Sequence, residues 1–157
     1  MTTIAANLTM MAADSRVTVD ETSYLSPKLF RLPDAIIGCA GDTEACHLFV
    51  EWYADRSSPL TIPKGLDVEA LVLTHKGLYR YGSRGRPDVI RDGIMAVGTG
   101  SAIAMASMDT MIRLGLAPDP RIAVEVACKR NPGSSLPIDY FELGPKPVAA
   151  RRKRKNG

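Results

Sequence analysis

Disulfide and metal chemistry find little to work with in this sequence. Its 157 residues hold three cysteines (Cys39, Cys46, Cys128) and two histidines (His47, His75), with no CxxC pair. An odd, scattered set builds neither a disulfide framework nor a zinc site, so no metal or cofactor is expected. The cysteines read as small core residues. No apolar run approaches the roughly 18 residues of a membrane span. The N-terminus also lacks the charged-then-apolar pattern of a secretory signal, so a cytoplasmic protein without membrane contact is expected. Internal repeats and long polar tracts are missing too, and 45% hydrophobic content suits one globular domain with a sizeable core.

Excess positive charge is lacking from most of the chain, although the formal net charge is +3. Of twenty lysines and arginines, five stand together as Arg151, Arg152, Lys153, Arg154 and Lys155, leaving fifteen against seventeen acidic residues elsewhere. The basicity belongs to a tail, 145–157, set off by Gly144-Pro145-Lys146-Pro147. It reads as a flexible extension that contacts nucleic acid or an acidic partner, or simply as a solvated end; the folded domain is expected over 1–144.

What is present alternates between strand and helix. Residues 3–6 (TIAA) and 10–13 (MMAA) flank Asn7-Leu8-Thr9, a hairpin that is expected to set Asp14 across from Thr2. Ala35 to Ala40 reads as a buried strand ending at Gly41-Asp42-Thr43, where a helix cap begins. Ala45, Leu48, Phe49, Trp52 and Tyr53 then form one apolar stripe, ended by Arg56-Ser57-Ser58-Pro59. Ala70–Thr74 and Leu78–Tyr81 make a second hairpin around His75-Lys76-Gly77. A strand at Ile94–Val97 leads through Gly98-Thr99-Gly100 into a helix from Ser101 to Leu114. Its methionines at 105, 108 and 111 have the spacing of core filler. Asp119 and Pro120 open a shorter helix whose buried face is predicted as Ile122, Ala123, Val126 and Ala127; Asn131-Pro132-Gly133 stops it, and Ile138–Leu143 is the last strand.

The N-terminus carries the chemical hint. Thr2 has a small side chain of the kind that permits removal of Met1, which would leave a nucleophilic hydroxyl and a free α-amine on one residue. TTIA, AADSRVT, SPKLFRL, GCAGDTEA and AVGTGSA follow one another in an order and approximate spacing that resembles the proteasome β-type family, and its bacterial HslV branch in particular. The resemblance covers residues 2 to about 143. It implies an α+β fold of the N-terminal nucleophile hydrolase type, a four-layer α-β-β-α sandwich. It also implies a threonine endopeptidase acting on unfolded polypeptide, built as a homo-oligomeric ring and served by an ATP-dependent unfoldase.

The same resemblance assigns the site. Thr2 takes the nucleophile's place, Lys28 that of the catalytic lysine, Asp14 that of the acid orienting it, and Gly41 that of the glycine whose N–H forms the oxyanion hole. Arg16 and Thr18 fall beside the cleft, while Val17, Cys39 and Thr43 would border an apolar specificity pocket. Three positions depart from the family pattern or extend it. Thr99 stands where a serine is common, Asn131 stands where proteasome subunits have an aspartate, and Ser134 matches a nearby serine. An amide accepts hydrogen bonds but brings no charge, so the network around Thr2 is expected with altered electrostatics. Between Arg56 and Ala70, two prolines and a glycine leave no room for the family's second long helix, so one helical layer should be shortened. Two other functions fit the same residues: an N-terminal amidohydrolase acting on a small amide, and a weakened scaffold subunit that works through its basic tail.

Overall fold

The computed structural model describes residues 1–55, 65–83 and 85–148. The first hairpin forms as expected, from β1 (Thr3–Ala6) and β2 (Met10–Asp14). Asn7 builds its turn: the side-chain oxygen accepts from the N–H groups of Thr9 and Met10, each at 2.8 Å, and its own N–H donates to the Met10 carbonyl at 3.0 Å. The register pairs Ile4 with Ala13, so one step outward Asp14 faces Thr3. This corrects the expected pairing with Thr2: a three-residue turn sets the register one position away, so Asp14 reaches the Thr3 N–H instead.

Two antiparallel sheets stack face to face. β10 (Met95–Gly98) and β11 (Ile138–Glu142) flank the first hairpin in the order β10-β1-β2-β11. The second sheet orders β5 (Leu29–Leu32), β6 (Ala35–Gly41), β7 (Val68–Thr74), β8 (Gly77–Tyr81) and β9 (Pro87–Ile90) in sequence. Alternate residues of each sheet meet between them, including Ile4, Met11, Ile36, Leu71, Leu73 and Val97. A separate hairpin, β3 (Arg16–Val19) with β4 (Thr22–Leu25), stands outside both sheets.

Helices cover the outer faces. α1 (Thr43–Ala54) lies on the five-stranded sheet, where its Cys46 and Phe49 join Val68, Ala70 and Val72 of β7 in one buried cluster. On the other side, α2 (Ser101–Arg113) and α3 (Pro120–Arg130) pack Ala104, Met108, Ala123, Val124 and Ala127 onto Ala5, Ala12 and Ala96. Small residues on the sheet let those helices approach closely. The result is the expected α+β, α-β-β-α arrangement, with α1 as the helix on its side among the described residues. Residues 56–64, where the shortened layer was expected, lie outside the described residues, as does the tail from 149 onward.

Both helix faces need adjustment. Leu48 is 44% exposed, because the buried arc of α1 centres on Ala45, Cys46 and Phe49. In α3 the arc runs through Pro120, Ala123, Val124 and Ala127, leaving Ile122 exposed and Val126 half-buried. The face that packs lies to one side of the apolar stripe in each helix. Both N-caps hold: Asp42 accepts from the Ala45 N–H at 3.0 Å and Asp119 from that of Arg121 at 2.9 Å.

Candidate active site

The first hairpin, the start of β5 and the end of β10 converge on the N-terminus. Lys28, immediately before β5, is buried, and its ammonium has three hydrogen-bond partners: Asp14 Oδ2 at 3.0 Å, the Arg16 carbonyl at 2.6 Å and the Met1 carbonyl at 3.1 Å. An ammonium has three N–H bonds, so all are used. The other Asp14 oxygen accepts from the Thr3 N–H at 2.7 Å, although Asp14 has no exposed surface. This meets the condition under which a buried ion pair persists, that neither partner keeps an unanswered polar atom. Burial pushes the Lys28 ammonium below the ordinary lysine value, while the attraction and hydrogen bond of Asp14 act in the opposite direction.

Thr2 is held from its other side. Its N–H, here part of the peptide bond to Met1, donates to Thr99 Oγ1 at 3.3 Å, and the Thr99 hydroxyl donates to the Thr2 carbonyl, also at 3.3 Å. That approach requires Gly98, whose φ of 88° is left-handed and where a Cβ would overlap the Thr2 carbonyl. Thr3 anchors the next position, since its hydroxyl shares a short hydrogen bond with the buried Ser134 hydroxyl.

Asn131 is spent locally. Its side-chain oxygen accepts from the Gly133 N–H at 2.8 Å and its carbonyl from the Ser134 N–H at 3.2 Å, so it shapes the loop that presents Ser134. Among the described residues it has no hydrogen bond to Thr2, Asp14 or Lys28. Arg16 likewise contributes its carbonyl to Lys28, while its exposed guanidinium reaches Ser135 and Ser23.

A cleft of about 200 Å³ opens beside Thr2 and Lys28. The expected Val17, Thr18, Cys39, Gly41 and Thr43 all line it. Cys46 and His47 line it too, although neither is a site candidate from sequence. Helical spacing is the available signal, because 43, 46 and 47 stand at i, i+3 and i+4. β3 forms one cleft wall and has β4 on a single side, so among the described residues its other edge is unpaired. Among the described residues, no group of three histidine, cysteine or acidic side chains is placed to hold a metal ion, and no helix is long and apolar enough to cross a membrane.

Solved structures share the overall fold. Eukaryotic HslV from Trypanosoma brucei superposes with a TM-score of 0.74 at 22% identity, covering 90% of this chain and 98% of that one. The chain shares the HslV fold. Thiobacillus denitrificans BPH shares that fold as well, with a TM-score of 0.72 at 16% identity over 94% of this chain and 99% of the other. BPH in complex with epoxomicin matches at 0.71, again at 16% identity, over 93% and 99%. No protein-family model matches the sequence, and no curated protein matches it. The likeness is therefore one of overall fold at low sequence identity.

Proposed function

We propose that this chain, once Met1 is removed, is a threonine endopeptidase that uses Thr2 as an N-terminal nucleophile. The carrying observation is the third hydrogen bond of Lys28. It runs to the Met1 carbonyl, the group bonded directly to the nitrogen of Thr2. Loss of Met1 releases that donor beside Thr2 and converts the Thr2 nitrogen into an amine within reach of the Thr99 hydroxyl. While Met1 remains, the nitrogen lone pair is delocalised into a peptide bond and is no base.

The α-amine, directly or through a water, takes the hydroxyl proton as Thr2 Oγ1 attacks the scissile carbonyl. The Lys28 charge disfavours protonation of that amine and keeps it basic, while Asp14 fixes the lysine. The backbone N–H of Gly41, at the rim of the same cleft, stabilises the developing oxyanion. Collapse transfers the proton to the leaving amine and leaves an ester on Thr2, and a water then repeats the sequence to release the acid and restore Thr2. An extended peptide pairs with the open edge of β3 near Thr18, which favours polypeptide over a small amide. Val17, Cys39 and Thr43 give the cleft small, uncharged walls suited to an apolar side chain.

Enclosure of such a site by identical subunits in a closed ring is expected, with delivery of unfolded chain by an ATP-dependent unfoldase. A particle that stays monomeric by light scattering at micromolar concentration would count against the chamber. The function is tested with protein beginning at Thr2, incubated with a fluorogenic peptide carrying an apolar residue before the cleaved bond. Hydrolysis is expected and should vanish in Thr2→Ala. Turnover of small amides with no peptide cleavage would replace this reading with the amidohydrolase one.

A further inference from the structure

We propose that Glu69 is a positioning residue: reaching from one sheet to the other, its carboxylate fixes the Gly98 turn that sets the Thr99 hydroxyl against the Thr2 nitrogen. Glu69 breaks the pattern of its own strand. Along β7, Val68, Ala70 and Val72 pack under α1, while Leu71 and Leu73 fill the space between the sheets. Alternation puts Glu69 on the leucine face, where an unpaired acid would be costly. Arg80 does the same on β8, two residues beyond the buried Leu78. Both charges line a groove of about 520 Å³ together with Gly41, Gly98 and Thr99. Gly41 borders the cleft beside Thr2 as well, so groove and cleft share a rim.

The two carboxylate oxygens divide the work. Oε1 accepts from Arg80 Nε at 2.9 Å and from Nη2 at 2.5 Å, and Asp88 lies on the same guanidinium at 3.7 Å. Oε2 accepts from the Gly98 N–H at 3.3 Å. Gly98 ends β10 in the opposite sheet, and its left-handed φ lets the chain pass the Thr2 carbonyl. Thr99 follows, and its hydroxyl accepts from the Thr2 nitrogen and donates to the Thr2 carbonyl, both at 3.3 Å. A continuous line of contacts therefore runs from Arg80 through Glu69, Gly98 and Thr99 to Thr2. The Arg80 charge balances that of Glu69, so what the line delivers to Thr2 is placement.

The consequence for catalysis rests on the proposed peptidase reading. Once Met1 is gone, the Thr99 hydroxyl orients a free amine and directs its lone pair toward the Thr2 hydroxyl. Proton transfer depends on that alignment and peptide binding does not, so the effect falls on kcat and spares KM.

Two double variants isolate the contact, because both lack the ion pair and they differ in the acceptor offered to Gly98. Glu69→Gln/Arg80→Ala keeps an amide oxygen there, and Glu69→Ala/Arg80→Ala does not. In chain that begins at Thr2 and is folded by circular dichroism, the first should exceed the second in kcat by about tenfold or more, at equal KM. If the ion pair only stabilised the fold, the two would have equal kcat, and that result would overturn the proposal. Hydrogen exchange of the Gly98 amide, followed by NMR, reads the same hold without activity. Glu69→Ala should speed it by about tenfold or more, with the Leu71 amide unchanged. Unchanged exchange at Gly98 would also overturn the proposal. Where variants lacking Arg80 do not fold, exchange in Glu69→Ala decides. A native chain that cuts no peptide removes the peptidase reading, and the exchange result then decides alone whether Glu69 places the turn.

Discussion

The two walls of the site are built in opposite ways. On one, Asp14, Lys28, Thr3 and Ser134 are buried and answer one another's polar atoms almost completely. On the other, Val17, Thr18, Thr43 and His47 line an opening with exposed or half-exposed side chains. The first wall fixes geometry, since any change there leaves a buried group unpaired. The second selects what enters and tolerates variation, because water can replace a lost contact.

Substitutions should separate the walls. The largest effect is expected from Thr2→Ala, which removes the proposed nucleophile and should abolish peptide hydrolysis in a folded protein. Lys28→Ala should follow, lowering kcat by about a hundred- to ten-thousand-fold in chain that circular dichroism shows to be folded, and it should also cost stability because it strands the buried Asp14 carboxylate. Asp14→Ala should cost activity and stability together, about 3–5 kcal/mol in a denaturant titration, because it strands a buried ammonium. An active, stable Asp14→Ala would erase the contrast.

Gly98→Ala should come next. It forces a left-handed φ onto a residue with a Cβ and crowds the Thr2 carbonyl, costing about 1–3 kcal/mol, with a drop in kcat as Thr99 shifts. On the opposite wall, His47→Ala should change stability by no more than about 0.5 kcal/mol and alter KM among peptides while kcat holds.

The smallest expected effect is a pH dependence. Since Lys28 is lowered in the folded state from 10.5, the unfolded chain binds more protons between the folded value and 10.5. Stability relative to an Asp14→Asn/Lys28→Met double variant should therefore rise with pH through that window. Below that window, where both states bind the proton, it should be flat. Melting temperatures across the alkaline range measure it.

Much of the buried wall is legible in the sequence because its parts follow strong local rules. Short alanine-rich runs mark β1 and β2, and glycines mark the turn at Thr99. Asp14 and Lys28 are reached through their motifs, since an isolated charge carries no local signal of burial. The exposed wall is harder to read. β3 alternates polar and apolar residues over only four positions, and β4 does not alternate, while neither strand has a buried face to fix the pattern. Cys46 and His47 become site residues only when the cap at Asp42 sets the phase of α1. Asn131 is assigned near the nucleophile by position, but the geometry gives it to its own turn, a choice settled by backbone conformation that composition does not encode.

The central claim is that catalytic competence begins when the Thr2 nitrogen becomes a free amine beside Lys28. Intact mass spectrometry after exposure to epoxomicin tests it most directly, using protein that begins at Thr2 alongside protein that retains Met1. The account predicts a single covalent adduct on the first, lost in Thr2→Ala, and an unmodified mass for the second. Equal labelling of the Met1-retaining protein, or no labelling of a folded chain beginning at Thr2, would contradict it.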